Sequence, residues 1–163
     1  MAETVLGVIP DARLKVSLLK SEPWVLVVTD QRLIGARITD GLRRIVAEQA
    51  RAEAKTSGSG FLGQWEAQLK GRLALGDRYR AMTPEAILAE TPGNWALWPG
   101  QVSSIKVERR KRTSGDDDVP RIDYLRITIE AAGGKGTYDT NDDMPSQREV
   151  QALLARVFGR VVS

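Results

Sequence analysis

The chain of 163 residues contains neither histidine nor cysteine, which excludes disulfides, Cys/His zinc sites, iron-sulfur clusters, cysteine nucleophiles and His-assisted triads. Hydrophobic residues at 42% and charged residues at 28% are globular values, and a chain of this length can bury a self-sufficient core as one domain. With 24 Lys and Arg against 21 Asp and Glu the net charge is only +3, so the location of charge matters more than its sum.

The N-terminus, Met1 to Val8, carries Glu3 and no basic flank, so no signal peptide is expected. No apolar run approaches the roughly 20 residues of a membrane-spanning helix, and a cytoplasmic protein is the expectation. The first forty residues read as four strands in two hairpins. Val5 to Ile9 is closed by the turn signal Pro10-Asp11, and Leu14 to Leu19 is near-alternating until Ser21-Glu22-Pro23 breaks it. Trp24 to Val28 is β-branched and aromatic, Thr29-Asp30-Gln31 offers a tight turn, and Arg32 to Ile38 is extended again.

From Asp40 the period becomes helical. Leu42, Ile45, Val46, Gln49 and Ala50 share a face until Thr56-Ser57-Gly58-Ser59-Gly60. A second helix is predicted over Phe61 to Leu75, ending near Gly76, and a third opens with Thr83 as N-cap and Pro84 at its first position. Strands resume at Asn94. Trp95 and Leu97 lead through the Trp98-Pro99-Gly100 corner into a strand reaching Arg112, a polar loop spans Thr113 to Pro120, and strands follow over Ile122 to Ile129 and Lys135 to Thr140. Ser146-Gln147-Arg148-Glu149 is a capping box that opens a terminal amphipathic helix carrying Val150, Leu154, Val157 and Phe158. The order describes an α+β domain.

The stretch Val25 to Ile34, with Thr29-Asp30-Gln31-Arg32-Leu33, resembles the strand-turn-strand signature of bacterial pleckstrin-homology-like (PH-like) and GRAM-like domains. Trp95-Ala96-Leu97, Ile105-Lys106-Val107 and the closing helix resemble their second half. The resemblance implies a seven-stranded antiparallel, partly open barrel capped by a C-terminal helix. Residues 1–38 would supply strands 1–4, 94–140 strands 5–7 and 146–161 the helix; residues 40–93 would be a helical insertion between strands 4 and 5. Taken as residues alone, Thr29 to Leu33 specifies a hairpin.

The densest charge cluster is Lys106, Arg109, Arg110, Lys111 and Arg112, followed by Asp116, Asp117 and Asp118. Three readings stand, in falling order: a solvated tip neutralised by those aspartates, contact with an anionic membrane or phosphate, and nucleic acid. With Tyr124 the only aromatic nearby in sequence, stacking on bases is disfavoured and no nucleic acid is expected. The resemblance implies phosphoinositide or protein binding, with the basic loop of lipid-binding members lying between their first two strands. Here that turn would be Pro10-Asp11-Ala12-Arg13, which is poorly basic.

Phe61, Leu62 and Trp65 follow the Gly/Ser segment and read either as a packed helix face or as an apolar wedge for a partner. The aspartate runs lack calcium-loop spacing, and the glycines make no phosphate loop. No metal, cofactor or catalytic constellation is predicted. The expectation is a non-catalytic binding or scaffolding module acting by protein-protein or self-association through the insertion helices. The alternative is peripheral binding to an anionic membrane, at the inner membrane face, through the basic hairpin.

Overall fold

The computed structural model describes residues 2–56, 74–112, 122–142 and 145–163. Seven antiparallel strands form one sheet that does not close: β1 (Val5–Lys15), β2 (Ser21–Thr29), β3 (Leu33–Arg37), β4 (Trp95–Leu97), β5 (Val102–Arg112), β6 (Ile122–Ala131) and β7 (Gly134–Asp139). Their spatial order is β4-β3-β2-β1-β7-β6-β5, with β4 and β5 at the two edges. Helix α1 spans Asp40–Thr56, residues 74–80 form α2, α3 is Pro84–Glu90 and α4 is Gln147–Phe158.

The α+β class, the seven antiparallel strands and the C-terminal helix match expectation, but the helical segment lies between β3 and β4, not between a fourth and a fifth strand. Pro10-Asp11 does not turn the chain. It sits where the β1–β2 register shifts between Ile9 and Ala12, a bulge of the kind in which a strand tolerates proline. The segments before and after it are therefore one strand of 11 residues. Trp95–Leu97, in turn, is a separate strand because it pairs with Leu33–Gly35 before a short 3₁₀ turn at Pro99–Gln101 redirects the chain.

Alternation along β1 to β3 feeds two cores. Ile9, Ala12, Trp24, Leu26, Val28 and Leu33 face inward against Ile105, Val107, Leu125, Ile127 and the α4 residues Val150, Leu154 and Phe158. The opposite face carries Val8, Val25, Val27, Ile34 and Ala36, covered by Leu42 and Val46 of α1, Tyr79 of α2 and Ile87 of α3. Burial on both faces explains why Trp24 to Val28 is an unbroken apolar run. Helix α2 continues past Gly76, where a stop was predicted. The helix packs along β1 there: an added Cβ at Gly76 would make ordinary contacts, 3.6 Å from Pro10 and 3.9 Å from Val8.

Local chemistry sets the ends of these elements. Thr83 Oγ1 accepts from Ala86 N at 3.2 Å to start α3, and Ser146 and Glu149 form the predicted capping box of α4. The Thr29 to Leu33 motif ties the hairpin to the N-terminal segment. Arg32 makes a bidentate pair with Glu3 at 2.9 and 2.8 Å, and Asp30 accepts from Thr4 N at 3.0 Å.

Candidate functional site

The hairpin joining β1 to β2 turns at Val16 to Lys20. Val16 and Ser17 donate their N–H groups to Lys20 O at 3.0 and 3.1 Å, and Lys20 N donates to Ser17 Oγ at 3.1 Å. This closed turn aims two adjacent leucines outward: Leu18 and Leu19 are 105% and 100% exposed. Of six large apolar side chains exposed among the described residues, three (Val16, Leu18 and Leu19) belong to this turn. Single exposed apolar residues are ordinary, whereas a concentration at one tip marks a contact surface.

Basic groups surround the tip. Among the described residues, a crevice of about 170 Å³ between the hairpin and the end of β5 is lined by Arg13, Lys15, Lys20, Arg112 and one acid, Asp139. Asp139 accepts from Arg126 Nε and Nη2 at 2.7 and 2.9 Å and lies 3.6 Å from Lys15 Nζ. Burial pushes its carboxyl up, but hydrogen bonds and charge from Arg126, with Lys15, more than offset this and hold it below the usual carboxylate range. Asp139 is thus already committed to Arg126. Arg13 Nε is buried without a hydrogen-bond partner, and the Arg112 guanidinium stands 5.1 Å from the Tyr124 ring centre. Among its described residues the crevice therefore carries excess positive charge beside an apolar point.

The predicted basic cluster is divided by strand geometry. Because β5 stays extended through Arg112, its period of two puts Lys106, Arg110 and Arg112 on one face and Arg109 and Lys111 on the other. Glu108 lies 3.0 Å from Lys106 and 3.4 Å from Arg110, and Arg109 pairs with Asp123 of β6. The Lys106 hydrogen bond, helped by Arg110, draws the Glu108 carboxyl down. Neutralisation of these three thus comes from within the sheet. Arg112 alone of the five lines the crevice. Phe61, Leu62, Trp65 and Asp116 to Asp118 lie outside the described residues.

The expected early turn at Pro10 to Arg13 is corrected: the first hairpin turns at Val16 to Lys20, flanked by Lys15 and Lys20. The sequence signal for it is the doubled Leu18-Leu19, which breaks the alternation of a half-buried strand. Comparison with known proteins returns no match: no family model fits the chain, and no curated protein or solved structure is significantly similar to it.

Proposed function

We propose that the protein is a non-catalytic, PH-like docking module that rests on an anionic membrane surface, the Leu18-Leu19 tip entering the headgroup region while Lys15, Lys20, Arg13 and Arg112 meet lipid phosphates. The open seven-stranded sheet with its C-terminal helix supports the PH-like reading. The full exposure of both leucines inside a basic rim carries the membrane reading. In water each leucine forgoes roughly 1.5–3 kcal/mol of burial, which insertion returns in part, and each Lys or Arg near an anionic leaflet adds about 1 kcal/mol. Those magnitudes give weak, reversible, salt-sensitive attachment. Among the described residues no helix is long and apolar enough to cross a membrane, and the proposal requires none.

Association through the insertion helices has a weaker basis, because the described apolar residues Leu42, Val46, Tyr79 and Ile87 cover the chain's own sheet. What remains of that reading rests on Phe61, Leu62 and Trp65.

The test is cosedimentation with phosphatidylcholine vesicles with and without phosphatidylserine, at low and at physiological salt. Binding is expected only to the anionic vesicles and weaker at the higher salt. Leu18→Asp with Leu19→Asp should abolish it, and Lys15→Glu with Lys20→Glu should reduce it at least tenfold. Undiminished binding by the double-aspartate variant, or no binding by the unaltered protein at low salt, would overturn the proposal.

A further inference from the structure

The sheet does not close, and a gap falls beside its shortest strand. β4 has three residues and stands at the edge, next to β3 alone. Ala132 N, in the β6–β7 turn, donates to Gln101 O at 3.0 Å and so holds the corner between β4 and β5 against that turn. Between β4 and the β6–β7 hairpin this leaves a cavity of about 330 Å³.

Strand alternation decides what reaches it. Ile129, Ala131 and Tyr138 line it from the inner face of the hairpin, opposite Trp95 and Leu97 of β4. Glu130, Lys135 and Thr137 occupy the other face, where the Lys135 ammonium lies 3.5 Å from Glu130. Among the described residues, therefore, no charged side chain enters the cavity. Two aromatic rings form one corner: the ring centres of Trp95 and Tyr138 stand 6.3 Å apart with their planes inclined by 49°. Trp95 is fixed from behind, lying over Gly35 with its ring centre 6.2 Å from that of Trp24. The Tyr138 ring runs along Gly136, where an added Cβ would fall 3.2 Å from Cε2 and 3.7 Å from the hydroxyl oxygen. Burial pushes that hydroxyl's pKa up to about 12, against the lowering effect of a hydrogen bond from the Trp95 indole, so it stays protonated. The buried Tyr79 donates its proton to Glu90 at 2.8 Å, whereas among the described residues no acceptor takes that of Tyr138.

We infer that this seam is a binding site for a small uncharged ring compound with one acceptor oxygen, its ring against Trp95 and Tyr138 and its oxygen at the Tyr138 hydroxyl. Shape, charge and size select this class. Two ring faces set in a tilted corner suit a flat partner, which can meet one by its face and the other by its edge. An ion entering here would lose its water and find no described countercharge. The cavity stands at the lower end of the about 300–1,000 Å³ range of small-molecule sites, which admits a one- or two-ring compound and not a phospholipid. The site shares no residue with the leucine tip, and either can fail without the other.

Ligand-detected NMR with acetophenone tests it, with ethylbenzene as the comparison that lacks the oxygen and benzoate as the charged one. Acetophenone should bind saturably, and benzoate at least tenfold more weakly. Tyr138→Phe should weaken acetophenone about two- to twelvefold, the net worth of one hydrogen bond, and leave ethylbenzene unchanged. Ala131→Phe and Leu97→Phe fill the cavity from opposite walls and should each reduce both neutral probes at least tenfold; either serves if the other does not fold. Absence of saturable acetophenone binding, or binding unaffected by the filling variants, would overturn the site. Benzoate binding as tight as that of acetophenone would overturn the uncharged class. Acetophenone binding unchanged in the Tyr138 variant, or lost there equally with ethylbenzene, would overturn the role of the hydroxyl.

Discussion

At residue 35 the missing side chain is what Trp95 needs. A Cβ there would fall 2.2 Å from Trp95 Cε2, so Gly35→Ala is expected to destabilise by about 1–3 kcal/mol through overpacking, measured as a shift in the urea midpoint. In the sequence Gly35 is one of several scattered glycines, and nothing linear announces an indole arriving from sixty residues downstream. Asp139 gives a second residue-scale expectation. Its folded pKa lies below the ordinary unfolded value of about 3.9. The Arg126 pair therefore contributes fully above that value, and its contribution is lost as pH falls through the folded pKa. Asp139→Asn should cost about 1–3 kcal/mol at neutral pH by leaving Arg126 unpartnered, and thermal melts should show a shallower acid limb than the parent's. An identical acid limb in both proteins would refute this role for the pair.

Elements were legible where a signal is local and strong. The capping box of α4 is readable as Ser146-Gln147-Arg148-Glu149 and is realised at 2.8 Å for Ser146 N to the Glu149 carboxylate and 3.3 Å for the reciprocal bond. Ser146→Ala should accordingly lose about 1 kcal/mol, read by thermal denaturation, with Thr restoring most of it. Signals that depend on tertiary context misled. Pro-Asp ends many strands, yet at Pro10-Asp11 the pairing partner β2 continues past it and absorbs the extra length as a register shift. Gly76 ends many helices, yet Tyr79 beyond it is fully buried, and packing overrides the local preference. The basic run was read as one patch because it is contiguous in sequence. A strand distributes contiguous residues to opposite faces, so proximity in the chain is not proximity on a surface.

For the whole molecule, the general plan of strands, helices and closing helix was visible in the pattern of periods, and the alliance of surfaces was not. An amphipathic helix announces that it has an apolar face without saying what covers it. In this fold the covering surface is the outer side of β1 to β3, and the fully buried Ile87 of α3 belongs to that contact. Ile87→Ala is expected to cost about 2–5 kcal/mol, with unfolding followed by circular dichroism still a single transition, because the two cores share β2. The same arrangement decides whether residues 40–93 are a removable module. Replacing them with a short linker would leave Val8, Val25, Val27, Ile34 and Ala36 as a bare apolar sheet face, so the shortened chain is expected to aggregate and not to yield a smaller barrel. The outer sheet face and the helices that cover it are thus mutually dependent: neither Val25, Val27 and Ile34 nor Leu42, Val46 and Ile87 would stay out of water without the other set.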